Sequence, residues 1–589
     1  MRTISRSPLF WTAFIVATVT FLAPLSCSSC HHGGQGSGLD TVAVNPAFVI
    51  DPPIAEDVTV ELLQKPTEEG NVLIKANFPK GRIGSPYLAF MADNKKIVLR
   101  DDGVSPDEKK EDNIYTGISS LDLEALRKSQ AQLMGKGNEV QMTMFRGRMV
   151  TGTERISAID LSRLLKGGIL HLRFPLFPPS AALVDSLKAN SVFVTAPSVV
   201  EDPLRTYDPC SNVGTKMGPW TFGFLMTQLA NSSATGVSPS RFVLSWLLNY
   251  THTQTVNGDP LSVRPNMDAF IHRWLVQSNG LADSTLDLSI APFRLLSIVN
   301  RLDLRSNTGY LGRGGNAGEG RFVFTGLDSN CTPMAFNVIF EYGVNKTGCT
   351  AIKAYAQQWY NLKDLTIGSA TYNTALQVIT DQFTLANTNP TKPNGSSLDQ
   401  LRTNEIQFGN PWELREFNID STTHLLFNTT VKQTMQTKFN NTALIDSYMV
   451  QHASAIKSNT DIVPLVFRFH GRDTAFLGGV APEPPLFWAE PLATQTTNDT
   501  VREMLSLNTC NGCHNIETGA TFRQVIPNGF GSPASLSGFL TGTTVSDPAE
   551  IPGTWHFADL QRRAQDLAEL VNSPCLLTPL HFRPLNMTH

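Results

Sequence analysis

The sequence predicts a multidomain protein of mixed α and β structure. It has a β-rich N-terminal region, a large α+β centre and a small, mainly helical C-terminal segment. Three patterns predict this. Short runs that alternate apolar and polar residues dominate residues 52–175. Helical stripes and strand-like runs intermingle over 176–495. In 496–589, two apolar helical stripes bracket a turn that holds two cysteines. A chain of 589 residues is longer than one hydrophobic core usually serves, and its 41% hydrophobic content is ample for buried cores. Charged residues make up 17%, the net charge is -4, and no Lys/Arg stripe occurs. Together these exclude a nucleic-acid binder.

The chain begins with a basic pair, Arg2 and Arg6, and an apolar stretch from Leu9 to Leu25 that closes on Pro24-Leu25-Ser26-Cys27. Residues 1–26 read as a secretory signal peptide. The stretch also resembles a bacterial lipoprotein leader, although Pro24 stands where such leaders prefer Leu. That resemblance implies lipidation of Cys27, an N-terminal lipid anchor to a membrane, and a periplasmic or outer-membrane, cell-surface location. Plain secretion is the alternative. Residues 27–51 are a flexible tether by composition.

Within 52–175, Asp57–Leu63 and Asn71–Phe78 alternate in strand fashion, and Lys96–Leu99, Glu139–Phe145 and Ile169–Phe174 are further strands. Many short strands separated by turn clusters predict a β-sandwich. The loop Asp101-Asp102-Gly103 to Asp107, followed by Asp112-Asn113-Ile114-Tyr115, resembles a loop of immunoglobulin-like domains in secreted bacterial proteins. Its carboxylates suit Ca²⁺ in type. The favoured reading is a turn in which Asp side chains accept backbone amides.

In 176–495, helices are expected at 180–189, 221–231, 267–277, 350–365 and 371–384, with strands at 294–304, 320–325, 335–342, 400–406 and 412–417. Phe270, Ile271, Trp274 and Leu275 share one helical face. Arg402, Glu405, Glu413, Arg415 and Glu416 form a candidate charged constellation, and His470 with Asp473 follows an apolar strand, where catalytic loops often sit. The region shows neither G-x-S-x-G nor H-E-x-x-H.

The chemistry-bearing stretch is Cys510-Asn511-Gly512-Cys513-His514. C-x-x-C-H is the attachment pattern of c-type haem: two thiols form thioethers and the adjacent imidazole reaches the iron. An apolar helix with Val501, Met504 and Leu505 leads into it, Gly519 follows, and Phe557, Leu560, Ala564, Leu567 and Val571 make a second stripe. The segment resembles a class I cytochrome c domain, which implies one covalent haem c. The resemblance also implies a C-terminal helix packed across the first, and a redox partner protein. No Met lies between Met504 and Met587, so the distal candidates are His556, Met587, His581 and His589. The thiols alone also suit a disulfide, a redox dithiol, or zinc with His514 or His556. A second C-x-x-C-H, Cys27 to His31, belongs to the leader.

Of eight cysteines, two lie at the leader and two at Cys510 and Cys513, leaving Cys210, Cys331, Cys349 and Cys575 for bridges in an oxidising compartment. Cys331 with Cys349 is the economical local pair, leaving Cys210 with Cys575. The expected protein is thus an exported, lipid-anchored envelope protein with one c-type haem in electron transfer. The alternative is a haem-free surface binding or structural protein.

Overall fold

The computed structural model describes residues 57–62, 69–78, 86–92, 95–104, 106–122, 139–145, 155–156 and 169–175, then 179–305, 316–457, 460–482, 488–489, 499–548 and 554–572. The leader and tether, Cys27, Cys575, His581, Met587 and His589 lie outside the described residues. Among the described residues, no helix is long and apolar enough to cross a membrane.

The N-terminal region forms β1 (Asp57–Leu62), β2 (Glu69–Asn77), β3 (Tyr87–Ala92), β4 (Lys95–Arg100), β5 (Ile114–Asp122), β6 (Glu139–Phe145), β7 (Arg155–Ile156) and β8 (Ile169–Pro175). All eight belong to one continuous hydrogen-bonded sheet, ordered β3-β4-β5-β2-β1-β8-β6 with β7 on β5. Pairs β1–β8 and β6–β8 are parallel.

The central region is built on a second sheet. Its strands are β9 (Phe193–Val194), β10 (Phe293–Arg301), β11 (Glu319–Leu327), β12 (Pro333–Gly343), β13 (Leu398–Glu405), β14 (Glu413–Ile419), β15 (Leu426–Thr429) and β16 (Ala481–Pro482). They are ordered β15-β14-β13-β12-β11-β10-β9, with β16 on β14, and every pair is antiparallel. The helices are α1 (Ala181–Leu187), α2 (Phe222–Ala230), α3 (Pro239–Leu248), α4 (Met267–Gln277), α5 (Cys349–Asn361), α6 (Ala370–Thr384) and α7 (Ala443–Lys457). The C-terminal segment adds α8 (Asp499–Leu507), the one-turn α9 (Cys510–Cys513) and α10 (Asp559–Asn572).

Period-2 alternation sorts the sheet into two faces. Phe322, Phe324, Phe336, Val338, Phe340, Leu401 and Phe417 point one way, onto α2, α3 and α4. Phe222 is the hub, stacked on Phe293 at 3.9 Å between centroids. Local chemistry starts these helices: Thr221 caps α2 by accepting from Phe224 N at 3.2 Å, and Ser238 caps α3 ahead of Pro239. Gly320 on β11 leaves space for Phe383 of α6, whose ring would lie 2.2 Å from a Cβ there.

The opposite face is covered by the C-terminal segment. Leu507, Cys513, Val525, Phe539, Leu540, Leu560, Ala564 and Leu567 join the same buried cluster as the sheet. Helix α10 packs on α1 and α5, whereas α8 packs on α7. The two helices therefore take their main contacts from the central region. This differs from the expected packing of a terminal helix across the attachment helix.

The local cysteine pairing is corrected. Cys210 bonds Cys331, with their Cα atoms 6.0 Å apart. Cys331 lies in the turn between β11 and β12, while Cys349 opens α5 beyond the far end of the eleven-residue β12. An extended strand of that length holds its two ends roughly 35 Å apart. Neither Cys331–Cys349 nor Cys210–Cys575 forms.

Candidate functional site

Each residue of the Cys510–His514 turn has a structural assignment. Thr509 caps α9: its Oγ1 accepts from Gly512 N at 3.1 Å and donates to Ser506 O at 2.6 Å. Cys510 N donates to Thr434 Oγ1 at 2.9 Å, and Trp488 Nε1 donates to Asn511 Oδ1 at 2.8 Å. A Cβ on Gly512 would sit 2.0 Å from Ser506 O, so only glycine fits where the turn folds back on α8. Gly512→Ala is therefore expected to lower stability by about 1–3 kcal/mol, read as the urea midpoint; an unchanged midpoint would refute the steric argument.

His514 is buried, and its ring stacks near Trp412 with centroids 5.8 Å apart. Its Nδ1 lies 2.7 Å from Phe522 O. A carbonyl only accepts, so Nδ1 carries the proton and Nε2 carries the lone pair. Phe522 N in turn donates to His514 O at 3.0 Å, and Asn404 Nδ2 donates to the same Phe522 O at 2.6 Å. Burial, with Arg402 adding to it, depresses the imidazole to about 4, so the ring is neutral at neutral pH. Asn404 Nδ2 also lies 3.2 Å from Nδ1, and a histidine anchored through Nδ1 to a backbone carbonyl is a common feature of metal-binding imidazoles.

Cys510 and Cys513 are free thiols and fully buried. Cys510 packs with Trp412, Leu414, Val431 and Ala481, and burial pushes its thiol up to about 11. Burial raises Cys513 further. In haem-free folded protein both are expected to react with maleimide at least roughly tenfold more slowly than in urea. Equal rates would place them at the surface.

A cavity of about 80 Å³ lies between the sheet and the C-terminal segment. Its floor is the polar phase of the strands: Val299 and Arg301, Arg321 and Val323, Asn337, Ile339 and Glu341, Arg402 and Asn404, then Leu414. His514, Gln524, Val525, Phe539, Leu540 and Arg563 cover it. The floor carries an alternating charge ladder. Arg321 donates to Glu319 at 2.7 Å and meets Glu341 at 2.9 Å. Arg402 lies 3.5 Å from Glu341 and 3.0 Å from Glu416. Arg301 grips Asp303 through Nε and Nη2 at 3.0 and 3.1 Å. The segment is tied down by Asn337 of the floor, whose Nδ2 donates to Val525 O at 2.8 Å, and by Arg305, which follows Asp303 closely in the chain and pairs with Asp566 at 2.9 Å.

The donor set fits a c-type haem. Two free thiols three residues apart precede an imidazole in the required tautomer, and the floor mixes apolar side chains with guanidinium groups that suit a porphyrin's carboxylates. Space is less generous. Pockets for ligands of this class run roughly 300–1,000 Å³, so a porphyrin requires the covering segment to lie farther from the sheet. Zinc fits less well. Tetrahedral binding needs converged ligand atoms, and among the described residues such a set within 4.8 Å occurs only at Asp101, Asp107 and Asp112. Those carboxylates accept backbone amides instead, as with Asp112 N and Asn113 N on Asp101 at 3.0 Å.

The other sequence candidates lie elsewhere. His556 is exposed on the hairpin Thr543–Ser546/Thr554–Phe557, its Nδ1 3.1 Å from Thr544 Oγ1, and it does not line the cavity. His470 and Asp473 are exposed on the hairpin Val466–Phe469/Arg472–Ala475. The constellation on β13 and β14 divides by strand parity. Arg402 and Glu416 face the cavity side, whereas Arg415 pairs with Glu413 at 2.6 Å and reaches Ser262 O on the helix side. Arg301, Glu319, Arg321 and Glu341 complete the ladder and were not singled out in the sequence. Their signal was a charge on the polar phase of each neighbouring strand.

No known family model matches this chain, and neither a curated protein nor a solved structure resembles it significantly.

Proposed function

We propose that the protein is an exported, lipid-anchored envelope component. It carries one c-type haem at Cys510 and Cys513, with His514 as the proximal ligand. The observation that carries this is the Nδ1 hydrogen bond from His514 to Phe522 O beside two free thiols. The bound group supplies a one-electron iron couple. The chain's own part is to position it. Trp412 and Asn404 hold the imidazole plane, burial keeps the ring neutral, and the sheet excludes water beneath it. The role is electron transfer to a partner protein. The distal candidates are His581, Met587 and His589 together with His556, which is exposed and does not line the cavity. The N-terminal β-rich region, immunoglobulin-like in its acidic loop, serves as a spacer between the anchor at Cys27 and the haem-bearing body.

The test is expression with the bacterial haem-attachment machinery, denaturing electrophoresis and a haem-peroxidase stain. A stained band that disappears in Cys510→Ser/Cys513→Ser is expected. A colourless wild-type band would overturn the reading. One observation favours a second reading, a haem-free binding protein in which the turn is purely structural: the cavity beside His514 is about 80 Å³.

A further inference from the structure

The cavity floor has an unmet requirement at one end. Arg301 is 1% exposed and lines the cavity, yet its Nη1 is buried without a hydrogen-bond partner, because Nε and Nη2 are both spent on Asp303. A buried guanidinium N–H left unpaired is costly. Arg321, Arg402 and Arg563 line the same cavity, against a single lining carboxylate, Glu341. Apolar side chains, among them Val299, Val323 and Phe539, make up most of the remaining wall, with Asn337, Asn404, His514 and Gln524 between them. We propose that this cavity binds a carboxylate carried on an apolar body, with Arg301 Nη1 as its anchoring donor. Two sources share that chemistry: a free small organic acid, or a propionate of the covalently attached haem. The inference stands on Arg301 and the cavity walls, and holds without haem attachment.

A guanidinium fork is the preferred partner of a carboxylate, and a cavity of about 80 Å³ with a partly apolar wall disfavours a fully hydrated anion such as phosphate. Burial raises Glu319, cross-strand from Arg301, to about 7.

The probes are sodium propionate, sodium benzoate and inorganic phosphate at matched ionic strength, applied to full-length haem-free protein in a thermal-shift titration. Propionate or benzoate is expected to raise Tm saturably, by roughly 2–5 °C, with phosphate giving no saturable response. Arg301→Met should abolish the response. If that variant fails to fold, Val323→Met keeps every charge, fills the cavity and should abolish it equally. Equal responses to all three anions, or a response that survives Val323→Met, would overturn the proposal. So would the absence of any response to both organic acids. The source is read from haem-loaded protein: loss of the response assigns the site to the haem propionate, and its persistence assigns it to a free acid. A colourless protein that still binds propionate would defeat the haem reading alone, and a stained protein whose haem-free form ignores both acids would defeat this inference alone.

Discussion

Asp303→Asn is expected to lose about 3–5 kcal/mol of stability at pH 7, the cost of removing one partner from a buried charge network. Asp303 is buried immediately after β10, accepts two hydrogen bonds from Arg301, and pairs with Arg562 of α10 at 2.9 Å. Arg563 lies 4.0 Å away. Removing this carboxylate leaves Arg301 in the interior without its acid partner, while Arg562 and Arg563 keep Asp559. Burial alone would raise the acid's pKa, but Arg301, Arg562 and Arg563 together outweigh it and hold the carboxyl well below its usual range. The pH dependence follows. The folded carboxylate stays ionised while the unfolded one takes up a proton below about pH 3.9, so the stabilisation is present above that value and is lost as pH falls toward the folded pKa. The gap between wild type and variant should therefore narrow by about 1 kcal/mol between pH 4 and pH 3. Urea midpoints at pH 7, 4 and 3 measure it. A gap below about 1 kcal/mol at pH 7, or one independent of pH, would sink the assignment.

Trp412→Ala is expected to cost about 3–5 kcal/mol and to release the Cys510–His514 turn. The ring is 1% exposed and lies near both His514 and Phe522, with centroids 5.8 and 5.3 Å away. Its Nε1 donates to Asn404 Oδ1 at 2.7 Å, and Asn404 in turn braces Phe522 O. The same side chain belongs to the buried cluster that encloses Cys510. In the alanine variant Cys510 should label with maleimide in native buffer, and the imidazole should lose its fixed orientation. Trp412→Phe keeps the ring but leaves the Asn404 carbonyl oxygen without its donor, a smaller loss of about 1–3 kcal/mol. Wild-type labelling rates in Trp412→Ala would show that the turn is held by α8 and Thr434 without the tryptophan.

Much of the secondary structure was legible because its causes are local. Met267–Gln277 has the predicted helix bounds, set by Phe270, Ile271 and Trp274 on one face. Glu139–Phe145 has the predicted strand bounds. The C-x-x-C-H turn was also legible as chemistry, since the spacing of two thiols and an imidazole is a property of a few consecutive residues. The disulfide was not. Cys331 and Cys349 are near in sequence, but the strand between them carries one away from the other, and Cys210 arrives from 121 residues away.

The sheet shows where local reading stops. On β12, Phe336, Val338 and Phe340 alternate with Asn337, Ile339 and Glu341. That pattern determines the strand and its apolar face, and by itself it implies that the polar face meets water. Only the tertiary structure brings residues 499–572 over that face. There Arg321, Glu341, Arg402 and Glu416 become a buried ladder and Arg301 acquires an unpaired N–H. The sequence by itself determined the helices, the strands and the Cys510–His514 turn, because backbone periodicity and capping act over a few residues. What covers the polar face, which thiols bond and where a cavity remains depend on surfaces far apart in the chain meeting. Those were decided by packing.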